Sequence, residues 1–213
     1  MMHGDFIRIE YVGRISDTKE IFDLTNEQTA RKEGIYNEKI KYKPAPVIVG
    51  EGFVIKGIEN ELLKMNVGEK RTIFVTPEEG FGKRRPDLVK VVPITFFRKQ
   101  GVNPAPGLVV NVSGLIGRIQ SCESGRVRLD FNSPLAGKNL EYEIEIRERV
   151  VDNIEKAKMI MEIFNIPSNI SIKEDSIEIE IGKIDIQTQI KERIAHLMKK
   201  YLKVEKVKFI EVF

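Results

Sequence analysis

VIVGEGFVIKGIENELLKMNVGEKRTIFVTPEEGFG, residues 47–82, decides how this chain is read. It begins with the β-rich run Val47-Ile48-Val49 and turns on Gly50 and Gly52. Ile55, Ile58, Leu62 and Met65 then recur at roughly one face of a 3.6-residue period, which predicts a short helix. Asn66-Val67-Gly68-Glu69 stops that helix in a glycine turn, and Arg71 to Thr76 reads as a strand running into Pro77. Pro77-Glu78-Glu79-Gly80-Phe81-Gly82 follows, an aromatic held between glycines in a tight bend.

Upstream, Phe6 to Tyr11 alternates apolar and charged residues like a half-buried strand, with Val12-Gly13 as its expected end. Ile21-Phe22-Asp23-Leu24 is the expected return strand. Residues 26–45 are polar and read as a surface excursion, with a short helix up to Gly34. Downstream, Lys83-Arg84-Arg85-Pro86 is a basic joint. Beyond it lie short β-type runs, Leu88–Val92, Leu108–Val112, Leu115–Gln120 and Arg126–Phe131, divided by Gly and Pro turns. That pattern predicts a small barrel or sandwich, with Phe96-Phe97 in a loop. Glu141 to Ile146 alternates again as a strand.

Past Val151, Ile154, Ala157, Met161 and Phe164 mark a helix ended by Pro167. Ile177, Ile179 and Ile181 mark a strand, and Ile186, Ile190, Ile194, Leu197 and Tyr201 mark a longer helix. Val207 to Phe213 reads as a closing strand. Four such elements bury little surface alone, so this tail should pack on a second copy, giving a homodimer, or on the rest of the chain.

With 213 residues the chain suits two or three domains, and 41% hydrophobic with 31% charged residues is enough to build cores. A net charge of +3, with both signs interleaved, argues against a nucleic-acid or membrane-surface partner. MMHGDFIRIEY holds no apolar run before a cleavage site, so no signal peptide is expected, and no stretch reaches membrane-spanning length. A single cysteine, Cys122, forms no internal disulfide and fits the reducing cytoplasm. The two histidines, His3 and His196, are far apart, and Gly50-Glu51-Gly52 lacks the lysine of a phosphate loop, so neither metal nor cofactor is expected.

The order V-I-x-G, short helix, M-x-V-G-E, strand, P-x-x-aromatic-G resembles the FKBP family of peptidyl-prolyl cis-trans isomerases. The resemblance implies an α+β fold, an antiparallel sheet wrapped on a short helix. Phe81 and Tyr142 stand 61 positions apart (142 minus 81), where compact members have a short connection. The extra length, closed by Leu135-Ala136-Gly137-Lys138-Asn139-Leu140, resembles the insert-in-flap domain of SlyD-type and long archaeal FKBPs. The implied domains are 1–83 with 133–151 for the isomerase, 84–132 for an inserted all-β chaperone domain, and 152–213 for a C-terminal α/β domain.

An X-Pro amide isomerises over a barrier of about 18–20 kcal/mol through a twisted state that has lost double-bond character. An apolar pocket withdraws solvation from the more dipolar planar form and so favours the twisted one, with no nucleophile or cofactor. By resemblance the pocket is Tyr11, Phe22, Asp23, Val54, Ile55, Ile58, Phe81, Leu140 and Tyr142. Phe22, Ile58 and Tyr142 would hold the proline ring and the Ile55 N–H a peptide carbonyl. Asp23, beside Tyr11, would face the twisting bond, and Phe81 would cover the peptide. Ile58 stands where Trp is common, and Ala45 where compact members often carry an aromatic.

Residue type alone reads Phe22, Ile55, Ile58 and Tyr142 as ordinary core, whereas an Asp after a buried-type Phe asks for a partner. In the insert, Phe96, Phe97, Val102 and Leu115 are the candidates for a surface that binds unfolded, proline-containing chains. A non-catalytic peptide-binding chaperone on the same scaffold, or a scaffold acting through the tail, are the competing readings.

Overall fold

The computed structural model describes residues 1–173 and 175–212. They form two compact units: Met1–Val75 together with the chain from Leu140 onward, and Thr76–Asn139. In chain order the first unit opens with β1 (Phe6–Ile15), β2 (Ile21–Leu24), α1 (Glu27–Lys32), β3 (Ala45–Ile48), α2 (Lys56–Leu62) and β4 (Lys70–Val75). The second contains β5 (Val89–Pro93), α3 (Ile94–Arg98), β6 (Val109–Val112), β7 (Leu115–Glu123) and β8 (Arg126–Asp130). The chain re-enters the first unit with β9 (Leu140–Val150), α4 (Asn153–Ile163), β10 (Ser168–Lys173), β11 (Ser176–Ile181), α5 (Thr188–Leu202) and β12 (Lys206–Glu211). Phe213, the expected end of the closing strand, lies outside the described residues.

The main sheet runs β2-β1-β9-β4, with β3 also paired to β1, and every pairing is antiparallel. Residues directly opposite one another share a face. Ile9, Tyr11, Gly13 and Ile15 therefore lie with Ile146, Ile144, Tyr142 and Leu140, and the latter three lie with Arg71, Ile73 and Val75. That face is the apolar one. Its reverse carries Arg14, Lys70 and Glu143, joined by ion pairs of 2.6 and 3.3 Å, each worth roughly 0–1 kcal/mol at the surface.

Helix α2 lies on the apolar face and buries Ile58 and Leu62. Gly57 makes the approach close: a Cβ there would stand 2.8 Å from the Val75 side chain.

Val12-Gly13 does not end the first strand, as the sequence suggested. β1 continues to Ile15, because Gly13 sits mid-sheet opposite both Asp23 and Tyr142 and is needed for space rather than for a turn. The insert is neither barrel nor sandwich. It is one four-stranded antiparallel sheet, β5-β8-β7-β6, over a core of Phe97, Ile119, Val127 and Leu129. Phe96-Phe97 lie on a short helix, α3, rather than in a loop.

The tail has five elements, not four, because Ser168–Lys173 forms a strand. Helix α4 ends beyond Phe164 at Asn165, which takes a left-handed φ of 54°, and Pro167 then leads into β10. β10 and β11 are antiparallel, and α5 carries the chain back so that β12 lies parallel to β11. The apolar face of this sheet and helices α4 and α5 share a core that also takes in Phe6 and Ile48 of the main sheet. The tail thus covers its apolar face within its own chain. No helix among the described residues is long and apolar enough to cross a membrane.

Candidate functional site

The face around Gly13 gathers the chemistry. Pairing to β2 and β9 sets Asp23 and Tyr142 on either side of Gly13. A Cβ on Gly13 would stand 2.8 Å from Phe22 Cζ and 2.9 Å from Tyr142 Cε1, so both rings lean over the missing side chain. Phe22 meets Tyr142 edge-on, with centroids 5.6 Å apart, and Tyr11 lies 6.1 Å from Tyr142 at a tilt. Such aromatic pairs add about 0.5–1.5 kcal/mol beyond their buried area. The Tyr11 hydroxyl donates to Asp23 Oδ2 at 2.6 Å, a short charge-assisted bond.

Tyr142 is nearly buried and Tyr11 half-buried, whereas Asp23 is exposed. Asp23 thus has the partner that its place after Phe22 asks for, and it also reaches solvent. Burial pushes the Tyr142 phenol up to about 12, with the nearby Asp23 charge adding to it. Tyr11 is raised further still, by burial first and then by its bond to Asp23. Both phenols are therefore neutral donors throughout the physiological range.

Ile58 is buried on α2, and Val54 and Ile55 are half-buried in the segment that enters it. Ile55 is the helix N-cap, with extended backbone at φ −63° and ψ 151°. Its N–H makes no hydrogen bond among the described residues. Leu140 is fully buried opposite Ile15 and Val75 and belongs to the core, not to a reachable wall. Phe81 belongs to the other compact unit and is exposed.

Within the insert, Phe97 is only 2% exposed and is a core residue, contrary to the expected binding surface; its helix turns it onto Ile119, Val127 and Leu129. Val102 packs against the same core. Phe96 remains at the surface, and Leu115 is 63% exposed beside Ile116 at 70%. The exposed apolar surface is thus centred on the β6–β7 hairpin.

Sequence reasoning missed Gly13 and Glu51. Glycine inside an alternating strand is a signal of close approach, and it was available. Nothing in Gly50-Glu51-Gly52 announced that Glu51 would bond residues some 150 positions away in the sequence.

Residues 90–135 match the family described as FKBP26, IF domain. The chain is 32% identical over 145 residues to the short-type peptidyl-prolyl cis-trans isomerase of Methanocaldococcus jannaschii, covering 68% of this chain and 91% of that protein. It is 29% identical over 136 residues to the FKBP-type 16 kDa peptidyl-prolyl cis-trans isomerase of Escherichia coli K12, covering 62% and 85%. Similarity also extends to the SlyD isomerase of Helicobacter pylori, 27% identical over 128 residues, or 56% and 68% of the two chains.

Ultraviolet titration of the phenols tests the geometry. Tyr142 should ionise near pH 12 rather than at the ordinary value of 10, and Tyr142→Phe should remove that late step. A proton held more tightly in the folded state contributes stability that is complete below pH 10 and is lost as pH climbs through about 12. Native-state ionisation of every tyrosine near pH 10 would contradict the packing described.

Proposed function

The chain belongs to the FKBP-type peptidyl-prolyl cis-trans isomerases, and on that premise we propose that the face around Gly13 is where it turns X-Pro bonds. The observation that carries this is the Tyr11–Asp23 bond beside the Phe22–Tyr142 pair, polar groups at the rim of an aromatic nest. A proline ring enters against Phe22, Tyr142 and Ile58. The imide carbonyl loses the water that favours its planar, dipolar form, and the twisted form gains relative stability. Asp23, held by Tyr11, supplies fixed charge where the rotating carbonyl changes direction. The free Ile55 N–H takes a carbonyl of the flanking peptide, which anchors one side of the bond while the other turns.

Asp23→Asn, Tyr142→Ala and Gly13→Ala should each lower kcat/KM on a prolyl tetrapeptide by about tenfold or more, since misplacement of about 1 Å can cost on the order of a hundredfold. Circular dichroism should show a folded protein in each case. Full activity in all three would place the pocket elsewhere.

The insert is assigned the capture of unfolded chains. Leu115 and Ile116, with Val109 and Phe96, form the exposed apolar patch that supports this. A tetrapeptide needs only the pocket, whereas an unfolded chain held by the insert meets the pocket at high effective concentration. Leu115→Ser with Ile116→Ser should leave tetrapeptide turnover within about twofold and slow catalysed refolding of a proline-limited protein by roughly tenfold or more. Unchanged refolding would remove this assignment.

A further inference from the structure

The segment that leads into the pocket is fastened only in part by its own domain, through the Gly50 N–H to the Glu59 carboxylate and the Glu51 N–H to the Ile48 carbonyl at 3.3 Å. Gly50 and Gly52 both take positive φ, 88° and 72°, in the turn before Phe53, Val54 and Ile55. Helix α2 begins immediately afterwards with no side-chain cap. Such a turn has many conformations open to it. Its side chains are held from the tail.

The Glu51 side chain, only 6% exposed, accepts from Lys200 Nζ at 2.6 Å and the Tyr201 hydroxyl at 2.7 Å on one oxygen. Its other oxygen accepts from Arg193 Nη2 at 2.7 Å. The same guanidinium reaches the Glu51 backbone carbonyl at 3.4 Å. Two residues on, Phe53 lies edge-on to Phe164 of the tail, with centroids 6.1 Å apart, and packs on the tail's core. Tyr201 is itself wedged in place. Its ring meets Phe6 edge-on at 5.3 Å, and a Cβ on Gly4 would stand 2.9 Å from it.

We infer that the C-terminal α/β domain is a positioning element of the prolyl pocket: through Glu51 and Phe53 it fixes the turn that presents Val54 and the Ile55 N–H to the substrate. This rests on the pocket assigned above. The contacts assign the tail a share in substrate binding. Four partners converge on one buried carboxylate and one aromatic of a two-glycine turn. They all come from α5 or the end of α4, and they all act two to four residues before Ile55. Glu51 and Tyr201 touch no substrate, so they are positioning residues. Their effect should fall on binding more than on turnover, because the barrier itself is lowered by Phe22, Tyr142 and Asp23.

The test compares Glu51→Gln, Tyr201→Phe and Asp23→Asn in the intact chain with a prolyl tetrapeptide. Glu51→Gln removes the charge that holds Arg193 and Lys200, whose side chains are exposed enough to turn to water. Tyr201→Phe deletes one hydroxyl and keeps the wedged ring, so it remains informative if Glu51→Gln does not fold. Each should raise KM by about fivefold with kcat within about twofold, and amide hydrogen exchange at Val54 and Ile55 should speed up. A merely structural role would lower the melting temperature and leave both KM and these two amides unchanged, and that result overturns the inference. Asp23→Asn separates the two ideas. If it lowers turnover while the other variants leave KM and exchange untouched, the pocket stands and the positioning role falls. If it leaves turnover intact, the pocket falls, and exchange at Val54 and Ile55 still decides whether the tail restrains this turn.

Discussion

Everything in the first unit depends on β9 finding one slot. After residues 76–139 have formed a separate unit, Leu140–Val150 must lie between β1 and β4 in a single register. The entropic cost of so long an excursion is modest, since doubling a loop adds only about 0.6 kcal/mol. The cost of a wrong register is larger. Alternation along β9 places Leu140, Tyr142, Ile144 and Ile146 inward and Glu141, Glu143 and Glu145 outward, so a slip of one residue would bury three carboxylates. An insertion is therefore tolerated at this point in the chain, and the strand that follows it cannot pair any other way.

That register also makes the site. Tyr142 stands opposite Gly13 because of it, and the absent side chain of Gly13 leaves room for the Tyr142 and Phe22 rings. Asp23 enters from the other neighbour of Gly13, and Tyr11 holds it. A pocket built on paired strands takes its geometry from their register. The weak part is the Gly50–Ile55 turn, whose positive-φ glycines give it freedom that strands lack. The tail lends it rigidity. Fold and function meet in that division, with a sheet that sets the aromatic nest and a terminal domain that steadies its entrance.

Much of this was legible in the residues. The alternation in Phe6–Tyr11 and Glu141–Ile146 predicts half-buried strands, and the 3.6-residue spacing of Ile186 to Tyr201 predicts α5. The rest was hidden for physical reasons. Helix α3 has only five residues, too few for a period to show, so Phe97 was assigned to the surface. Strand β10, Ser168–Lys173, reads as polar because only Ile170 and Ile172 turn toward the tail core. In the site, Tyr11, Phe22 and Tyr142 could be ranked only through their order relative to the 47–82 motifs, since their types suit any core. Leu140 was ranked with them and is core. The Tyr11–Asp23 bond and the Glu51 contacts are tertiary facts, and no local pattern encodes them.

The most direct measurement is two-dimensional NMR of the isotope-labelled protein with an unlabelled Ala-Leu-Pro-Phe-type peptide. Exchange spectroscopy on the peptide reports cis–trans interconversion, and amide shifts on the protein report where the peptide sits. Uncatalysed exchange takes tens to hundreds of seconds. The account predicts exchange cross-peaks at sub-second mixing times, with the largest shifts at Tyr11, Phe22, Asp23, Ile55, Ile58 and Tyr142. Catalysed exchange with shifts confined to other residues, or shifts at these residues with no acceleration, would contradict it.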